Sequence, residues 1–408
     1  MGRSLMQTKP GWMELIYGSV KSGKSRSLIS KINSIKNAIV EEKFNRESLI
    51  IKHPLDDNKT KEKISSFSEE KIDATECGTT KDIVKLVTKH TKFIFLGGIH
   101  LFDKDIVPFS KALINNGVII VATGLNLTSD GEPYNYMPQI MTLTDVYNIE
   151  KGECFTPGCG ENAYRSVKIN NHFEPRCMKC YYKTKKTPSL VVVTGPMFSQ
   201  KTIELIAKEK EKKRKLEINP IKDYANEFMN KDISAIFKWS EDKRYNLEKI
   251  VSHDGSFIDA IPVENNSQII DYLQKNKQVG FIGFDEIQFF KEPYPLIKWL
   301  LEKGYSVYAT CLKKDFRGEG FGDVPKILTL ATTIINKEAY CTRCQKQPAT
   351  ETQRFIIEDG IKKPANYNDP IILVAGKDLY TSACRSCHSV PGKPANKYDN
   401  ILKLKQIN

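Results

Sequence analysis

Residues Ser189–Thr202 read SLVVVTGPMFSQKT. A β-branched run, Val191 to Val193, reaches Gly195 and then the pair Lys201–Thr202, the order of a strand, a turn and a helix start. The spacing is that of a phosphate-binding loop, G-x-x-x-x-G-K-[ST], with Gln200 where the pattern has its second glycine. In such a loop successive backbone N–H groups and the helix N-terminus face the phosphates. The lysine reaches the β and γ groups, and the hydroxyl holds magnesium. Gly195, Pro196, Ser199, Gln200, Lys201 and Thr202 are therefore candidate nucleotide-binding residues. An earlier stretch, GSVKSGKS over Gly18–Ser25, fits the pattern in full and follows the apolar run Trp12–Tyr17. Further on, FIGFDEIQFF ends an apolar run in Asp285 and Glu286. One carboxylate there can support magnesium through its water shell, and the other can take the proton from an attacking hydroxyl. In the earlier stretch the same register reads Gly97–Gly98, which has neither carboxylate.

Eight of the ten cysteines form two quartets. Cys154, Cys159, Cys177 and Cys180 are spaced C-x4-C-x17-C-x2-C, and Cys341, Cys344, Cys384 and Cys387 are spaced C-x2-C-x39-C-x2-C. Paired knuckles of this kind read as structural zinc sites closed by four thiolates. Disulfides are the competing reading, weakened by a reducing compartment. His388 is an alternative ligand to Cys387, with the cysteine preferred. Cys77 and Cys311 have no partners in the pattern, and Cys311, at a strand end, reads as packing.

The elements that must position these groups occur twice. Lys24 and Lys201 are 177 residues apart, the related segments at Lys52 and Lys238 are 186 apart, those at Phe93 and Phe281 are 188 apart, and Cys154 and Cys341 are 187 apart. Near-constant offsets mark a tandem duplication. The basic seam KTKKTPS divides the chain into domains 1–188 and 189–408. Each copy reads as strand, phosphate loop, helix, then further strands and helices, which predicts an α/β fold with a parallel, RecA-like sheet followed by a small cysteine-bearing lobe.

The chain of 408 residues carries 62 Lys and Arg against 49 Asp and Glu, a net charge of +13. The excess divides almost equally between the copies, there is no basic tail, and the densest run, Lys208–Lys215, reads as a solvated helix face. No nucleic-acid partner is therefore expected. No run approaches the roughly 18 apolar residues of a membrane span. The opening MGRSLMQTKPGW has no apolar h-region, so no membrane partner and a cytoplasmic location are expected.

The second copy resembles a type II, zinc-containing thymidine kinase. The likeness runs from GPMFSQKT through DKRY (Asp242–Tyr245), SHDG (Ser252–Gly255), FDEIQFF, DFRGEGFG (Asp315–Gly322), the Cys341/Cys344 knuckle, ATETQR (Ala349–Arg354) and ILVAGKDLYTSACRSCH (Ile372–His388). The first copy resembles the family more weakly, and the whole is similar to tandem thymidine kinases of some protists. The resemblance implies ATP- and Mg2+-dependent phosphorylation of the 5′-hydroxyl of thymidine, and of deoxyuridine. It implies Asp285 beside the metal, Glu286 as general base, and Arg244 and Arg354 near the phosphates. It draws the nucleoside pocket from Met197, Asp242, Leu312, Phe316, Phe321, Thr352, Val374, Gly376 and Tyr380, with the base held under a loop over Glu351–Tyr380. Thymidine triphosphate as feedback inhibitor and a homodimer of tandem chains that mimics a tetramer are further implications.

Taken by themselves, Phe316 and Phe321 could be core, His253 a local hydrogen-bonding residue and Arg317 an ordinary surface residue. The first copy lacks three parts together. It has Gly97–Gly98 for the acidic pair, Asn58 for Arg244, and 23 residues from Cys154 to Cys177 against 43 from Cys341 to Cys384. A catalytically dead first domain is expected. Two other classes stand against an active kinase: a nucleotide-binding protein without transfer, and a zinc-ribbon ATPase stimulated by nucleic acid.

Overall fold

The computed structural model describes residues 11–41, 47–56, 62–65, 70–218, 233–241, 248–252, 254–373 and 378–402. Asn58, Asp242, Arg244, His253, Val374 and Gly376 lie outside the described residues. The chain forms two compact units. One runs to Cys177 and includes the segment from Lys393 onward; the other spans Met178–Gly392. The segment from Lys393 onward thus belongs with the first unit. A short helix, Met178–Tyr182, carries Cys180, the last cysteine of the first quartet.

The first unit is built on six strands: β1 (Met13–Gly18), β2 (Glu47–Lys52), β3 (Thr75–Glu76), β4 (Thr91–Gly97), β5 (Ile119–Gly124) and β6 (Val146–Glu150). Their order is β3-β2-β4-β5-β1-β6, and every pairing is parallel. The second unit repeats this with β7 (Ser189–Thr194), β8 (Ile233–Trp239), β9 (Ile261–Val263), β10 (Val279–Phe284), β11 (Ser306–Cys311) and β12 (Thr333–Asn336), ordered β9-β8-β10-β11-β7-β12 and again all parallel. β1 and β5 are buried at every residue, which is why they read as nearly continuous apolar runs, interrupted only at Glu14 and Thr123, rather than alternating ones.

After each phosphate loop comes an 18-residue helix, α1 (Lys24–Glu41) and α3 (Lys201–Ile218). The buried Leu28, Ile29, Ile32 and Ile35 of α1 lie on one face and pack on Ile16, Phe95 and Val121 of the sheet. In the second unit Leu205 and Ile206 pack on Val193, Ile236 and Phe281. Further helices are α2 (Ile106–Asn115) in the first unit and α4 (Pro293–Glu302) in the second. In each sheet the phosphate-loop strand lies between the fifth and sixth strands. The chain leaves it for a distant strand, so the loops at the carboxyl ends open a crevice there. No helix among the described residues is long and apolar enough to cross a membrane.

A small lobe follows each sheet. In the second unit it carries a three-stranded antiparallel sheet of Glu351–Glu358, Ile361–Pro364 and Tyr380–Ala383. The stretch expected as one loop, Glu351–Tyr380, therefore begins as a hairpin. Its turn is Asp359–Gly360, both with positive φ (53° and 74°), the chemistry of a tight two-residue turn. In the first unit the corresponding place holds only the hairpin Arg165–Ile169 with His172–Arg176, turned at Asn170 (φ 52°) and Asn171. The twenty missing residues are those that carry the longer excursion in the second unit.

Candidate active site

The phosphate loop of the second unit is shaped by close packing. A Cβ on Gly195 would lie 2.4 Å from the Lys337 carbonyl oxygen and 2.6 Å from Ser199 Oγ, so no larger residue fits. Ser199 Oγ donates to the Pro196 carbonyl at 2.8 Å, and the buried Lys201 turns Nζ onto the same oxygen at 2.9 Å. Gln200 keeps the left-handed backbone of the absent glycine, with φ 63°, and its side chain is exposed and lines the cleft. The equivalent Gly23 has φ 91° and open space where a Cβ would stand. A side chain at this position therefore costs about 1–2 kcal/mol of backbone strain and meets no obstacle.

The acidic pair follows β10. Asp285 Oδ1 accepts from Thr310 Oγ1 at 2.6 Å and from Thr202 Oγ1 at 3.3 Å, which ties this carboxylate to the hydroxyl of the phosphate loop. Glu286 sits in a left-handed conformation (φ 53°, ψ 53°), with its N–H on Thr310 Oγ1 at 3.0 Å. A non-glycine residue held there stores strain, a common feature of functional turns. The buried Gln288 donates from Nε2 to Glu286 Oε2 at 2.6 Å and accepts the Leu312 N–H on Oε1 at 3.1 Å.

Two cavities meet at Glu286. The first, about 640 Å3, is lined by the phosphate loop from Met197 to Ile203, by Lys238, Lys249 and Asp254, and by Asp285 and Glu286. The second is a narrow apolar slot with about 40 Å3 of open space. Met197, Leu312, Phe316, Phe321, Thr352 and Tyr380, all expected in the nucleoside pocket, line it together. So do Trp239, Phe289, Asp315 and the apolar run Ile371–Leu373, which the sequence did not single out for this role. Trp239 and Phe289 stack at 5.3 Å between centroids, and Phe321 meets Phe289 edge-on at 5.8 Å. Those flat walls suit a planar base. Tyr380 donates its hydroxyl to the Leu373 carbonyl at 3.0 Å. Met197, Glu286 and Tyr380 line both cavities.

Other expected residues take different places. The Thr352 hydroxyl accepts the Met197 N–H at 3.1 Å, while Ser382 Oγ donates to the Met197 carbonyl at 2.9 Å. Thr352 thus fixes the phosphate loop as well as lining the slot. Arg354 lines neither cavity. Its buried guanidinium lies 3.8 Å over the Phe316 ring, donates to the Pro370 carbonyl and pairs with Asp369 at 3.5 Å. Arg354 here supports the Phe316 wall of the slot. Arg317 is not a loose surface residue, because its guanidinium pairs with the buried Asp315 at 2.7 Å and lies 5.1 Å over Tyr367. Lys314 and Glu351 form a buried pair at 2.6 Å. Burial pushes the Glu351 carboxyl up, but the charges of Lys314, His388 and Arg385 outweigh it and hold the group well below the usual range.

Both cysteine quartets assemble. The four sulfurs of each set lie within 4.8 Å of one another. Cys159 and Cys177 sulfurs are 3.7 Å apart, Cys344 and Cys384 sulfurs 3.9 Å apart, and all ten cysteines are free thiols. Zinc–thiolate bonds of about 2.3 Å in a tetrahedron give sulfur edges of about 3.8 Å, so the donor set fits structural zinc. His388 stays outside, with Nε2 on the Phe316 carbonyl at 2.8 Å. The Cys311 thiol is fully buried, and burial pushes it up to about 12, the behaviour of a packing residue.

The family model described as thymidine kinase matches residues 11–184 and again residues 188–388. The chain belongs to the thymidine kinase family. Each match covers one sheet with its lobe, so the duplication is of a whole thymidine-kinase-like domain. In the first unit Lys24 Nζ contacts the Ser19 carbonyl at 2.5 Å, as Lys201 contacts Pro196, and Ser166 Oγ accepts the Val20 N–H at 3.0 Å, as Thr352 accepts Met197. Burial brings the Lys24 ammonium down to about 8 against the pull of Asp56 and Glu150.

Proposed function

We propose that the second unit transfers the γ-phosphoryl group of ATP to the 5′-hydroxyl of thymidine, and of deoxyuridine, and that the first unit does not. The observation that carries this reading is the place of Glu286, on the shared wall of a phosphate-lined cleft and an apolar slot. A base held between Trp239, Phe289 and Phe321 directs its sugar toward that wall. Glu286 takes the hydroxyl proton as the oxygen attacks the γ-phosphorus, and the bond to the β-phosphate oxygen breaks to release ADP. Lys201 and the loop N–H groups balance the charge on the phosphates. Thr202 and Asp285 would hold magnesium, which supplies charge neutralisation at the β and γ oxygens when bound. Zinc in the cysteine sites is structural. A cytoplasmic enzyme assembled as a homodimer of tandem chains and inhibited by thymidine triphosphate completes the proposal.

The test is phosphate transfer to thymidine by wild type, Glu286→Gln and Lys24→Ala. Loss of a general base lowers kcat by about 10^2–10^4-fold. The expected result is that loss in Glu286→Gln and near-normal turnover in Lys24→Ala. Turnover abolished by Lys24→Ala and kept in Glu286→Gln would reverse the assignment of the units.

A further inference from the structure

The end of β8 divides its side chains between the two cavities. Ile236 packs with Leu205 and Ile206 of α3. Successive side chains of a strand point to opposite faces, so Lys238 lies on the α3 face, and Phe237 and Trp239 lie on the other. Lys238 accordingly lines the phosphate cleft, and Trp239 lines the base slot. On the neighbouring β10 a Cβ on Gly283 would lie 3.0 Å from Leu205 Cδ1. Asp285, two residues on, is therefore on the same face as Lys238, where it meets Thr202 Oγ1. The Asp285 N–H donates to the Phe237 carbonyl at 3.2 Å, so the two strands stay side by side to this point. In the first unit the equivalent residues, Lys52 and Gly97, are direct partners across β2 and β4. Lys238, Asp285 and Thr202 thus share one wall of the cleft.

Among the described residues three lysines line the cleft, Lys201, Lys238 and Lys249. Lys201 belongs to the phosphate loop. Lys249 holds its ammonium 4.3 Å over the ring of Phe257, which is half exposed. Lys238 is different: it is only 5% exposed, and its Nζ donates to the Lys249 carbonyl at 3.2 Å. That carbonyl belongs to the hairpin of Lys249–Val251 with Phe257–Asp259, whose Ile250 and Ile258 pack with Leu205. The ammonium is thus held between strand and hairpin, away from bulk water, where one charge acts on another far more strongly than at the surface. An apolar side chain would fill this buried place at less cost, so a cation there suits an anionic occupant of the cleft. Nothing in the phosphate-loop pattern points to this residue, because it arrives from a different strand.

We propose that Lys238 is a further catalytic residue of the second unit: its ammonium leaves the Lys249 carbonyl and contacts the outer oxygens of the γ-phosphoryl group as that group passes to the acceptor hydroxyl. The inference rests on the assignment of transfer to the second unit and adds a residue to it. Charge in the transition state is spread over those oxygens, and a cation already fixed beside them stabilises it without reorganisation. Lys238 forms no covalent bond and takes no proton; the acceptor proton goes to Glu286.

The test is steady-state phosphate transfer from ATP to thymidine by the full chain as wild type, Lys238→Gln and Lys238→Arg. Gln keeps a hydrogen-bond donor and loses the charge, whereas Arg keeps the charge. Expected in Lys238→Gln is a fall in kcat of about 10^2-fold, with KM for thymidine changed less than about threefold because the slot lies on the other face of β8. Lys238→Arg should recover at least about tenfold of that loss. Thermal unfolding and calorimetric thymidine binding check that each variant is folded. If Lys238→Gln does not fold, Lys238→Met, which fills a similar volume without charge, takes its place. A kcat within about threefold of wild type in the uncharged variant would overturn the proposal. So would a raised KM for ATP with kcat unchanged, or an equal loss of kcat in the uncharged and Arg variants, which marks a residue that only ties the hairpin to the sheet. An active wild type with an active uncharged variant overturns this inference alone. A wild type without transfer overturns the assignment on which it rests.

Discussion

Gln288 does no reaction chemistry, yet it holds Glu286 by one amide end and the Leu312 N–H by the other. Replacing it with Leu keeps the volume and removes both bonds. The carboxylate then loses its orientation relative to the attacking hydroxyl, while the aromatic walls of the slot stay. The expected outcome is a fall in kcat of about 10–100-fold with thymidine KM changed less than about threefold, read by steady-state kinetics. A rise in KM with kcat unchanged would mean that Gln288 only shapes the slot. The phosphate loop, the acidic pair and the cysteines were legible because each packs its requirement into one short segment of fixed spacing. Gln288, Trp239 and Ser382 were not, because their roles arise from contacts between segments that the sequence keeps far apart. Nor were the contacts of Arg354 with the Phe316 ring and the Asp369 carboxylate legible, for the same reason.

The zinc lobe of the second unit acts on the site as an element. Thr352 and Ser382 are direct partners across its sheet, and together they grip both sides of Met197 in the phosphate loop. Cys384 lies two residues from Ser382, and among the described residues the buried cluster of Cys341, Cys384, Ala349 and Ala383 includes no large apolar side chain. Metal ligation must therefore supply much of the lobe's stability. Cys384→Ser should reduce zinc from two ions to one per chain, measured by a colorimetric chelator assay, and should raise KM for both ATP and thymidine by about tenfold or more. Two zinc ions retained in the variant would remove the quartet as a metal site. At this scale the parallel sheets were readable from apolar runs that reach turn residues. The hairpin within Glu351–Tyr380 was signalled by Asp359–Gly360 but masked by the expectation of a single loop. The fixed cysteine spacing gave the lobes, and only coordinates show that one lobe is a clamp on the phosphate loop.

At the scale of the whole chain, sequence order and folded units part company. The segment from Lys393 belongs with the first unit, although nothing in its composition marks it as a returning strap. Asn396 Nδ2 donates to the Pro108 carbonyl at 2.7 Å, Lys397 meets Asp105 at 2.7 Å, and Tyr398 packs edge-on against Phe109 at 5.6 Å while its hydroxyl reaches Asp105 at 3.2 Å. Asn116 Nδ2 donates to the Asp399 carbonyl at 3.2 Å, and Ile401 is 6% exposed. All of these contacts are made on or beside α2. The exposed ion pair adds little. Burial of Ile401 and the aromatic pair together stabilise by about 2–4 kcal/mol. Ending the chain after Gly392 should therefore speed hydrogen exchange of amides in Ile106–Asn115 markedly. The corresponding helix of the second unit, Pro293–Glu302, should exchange as before, and phosphate transfer should be kept. The comparison between the two helices within one molecule separates loss of the strap from general destabilisation. Equal exchange in Ile106–Asn115 with and without the tail would show that the strap lies on the first unit without stabilising it.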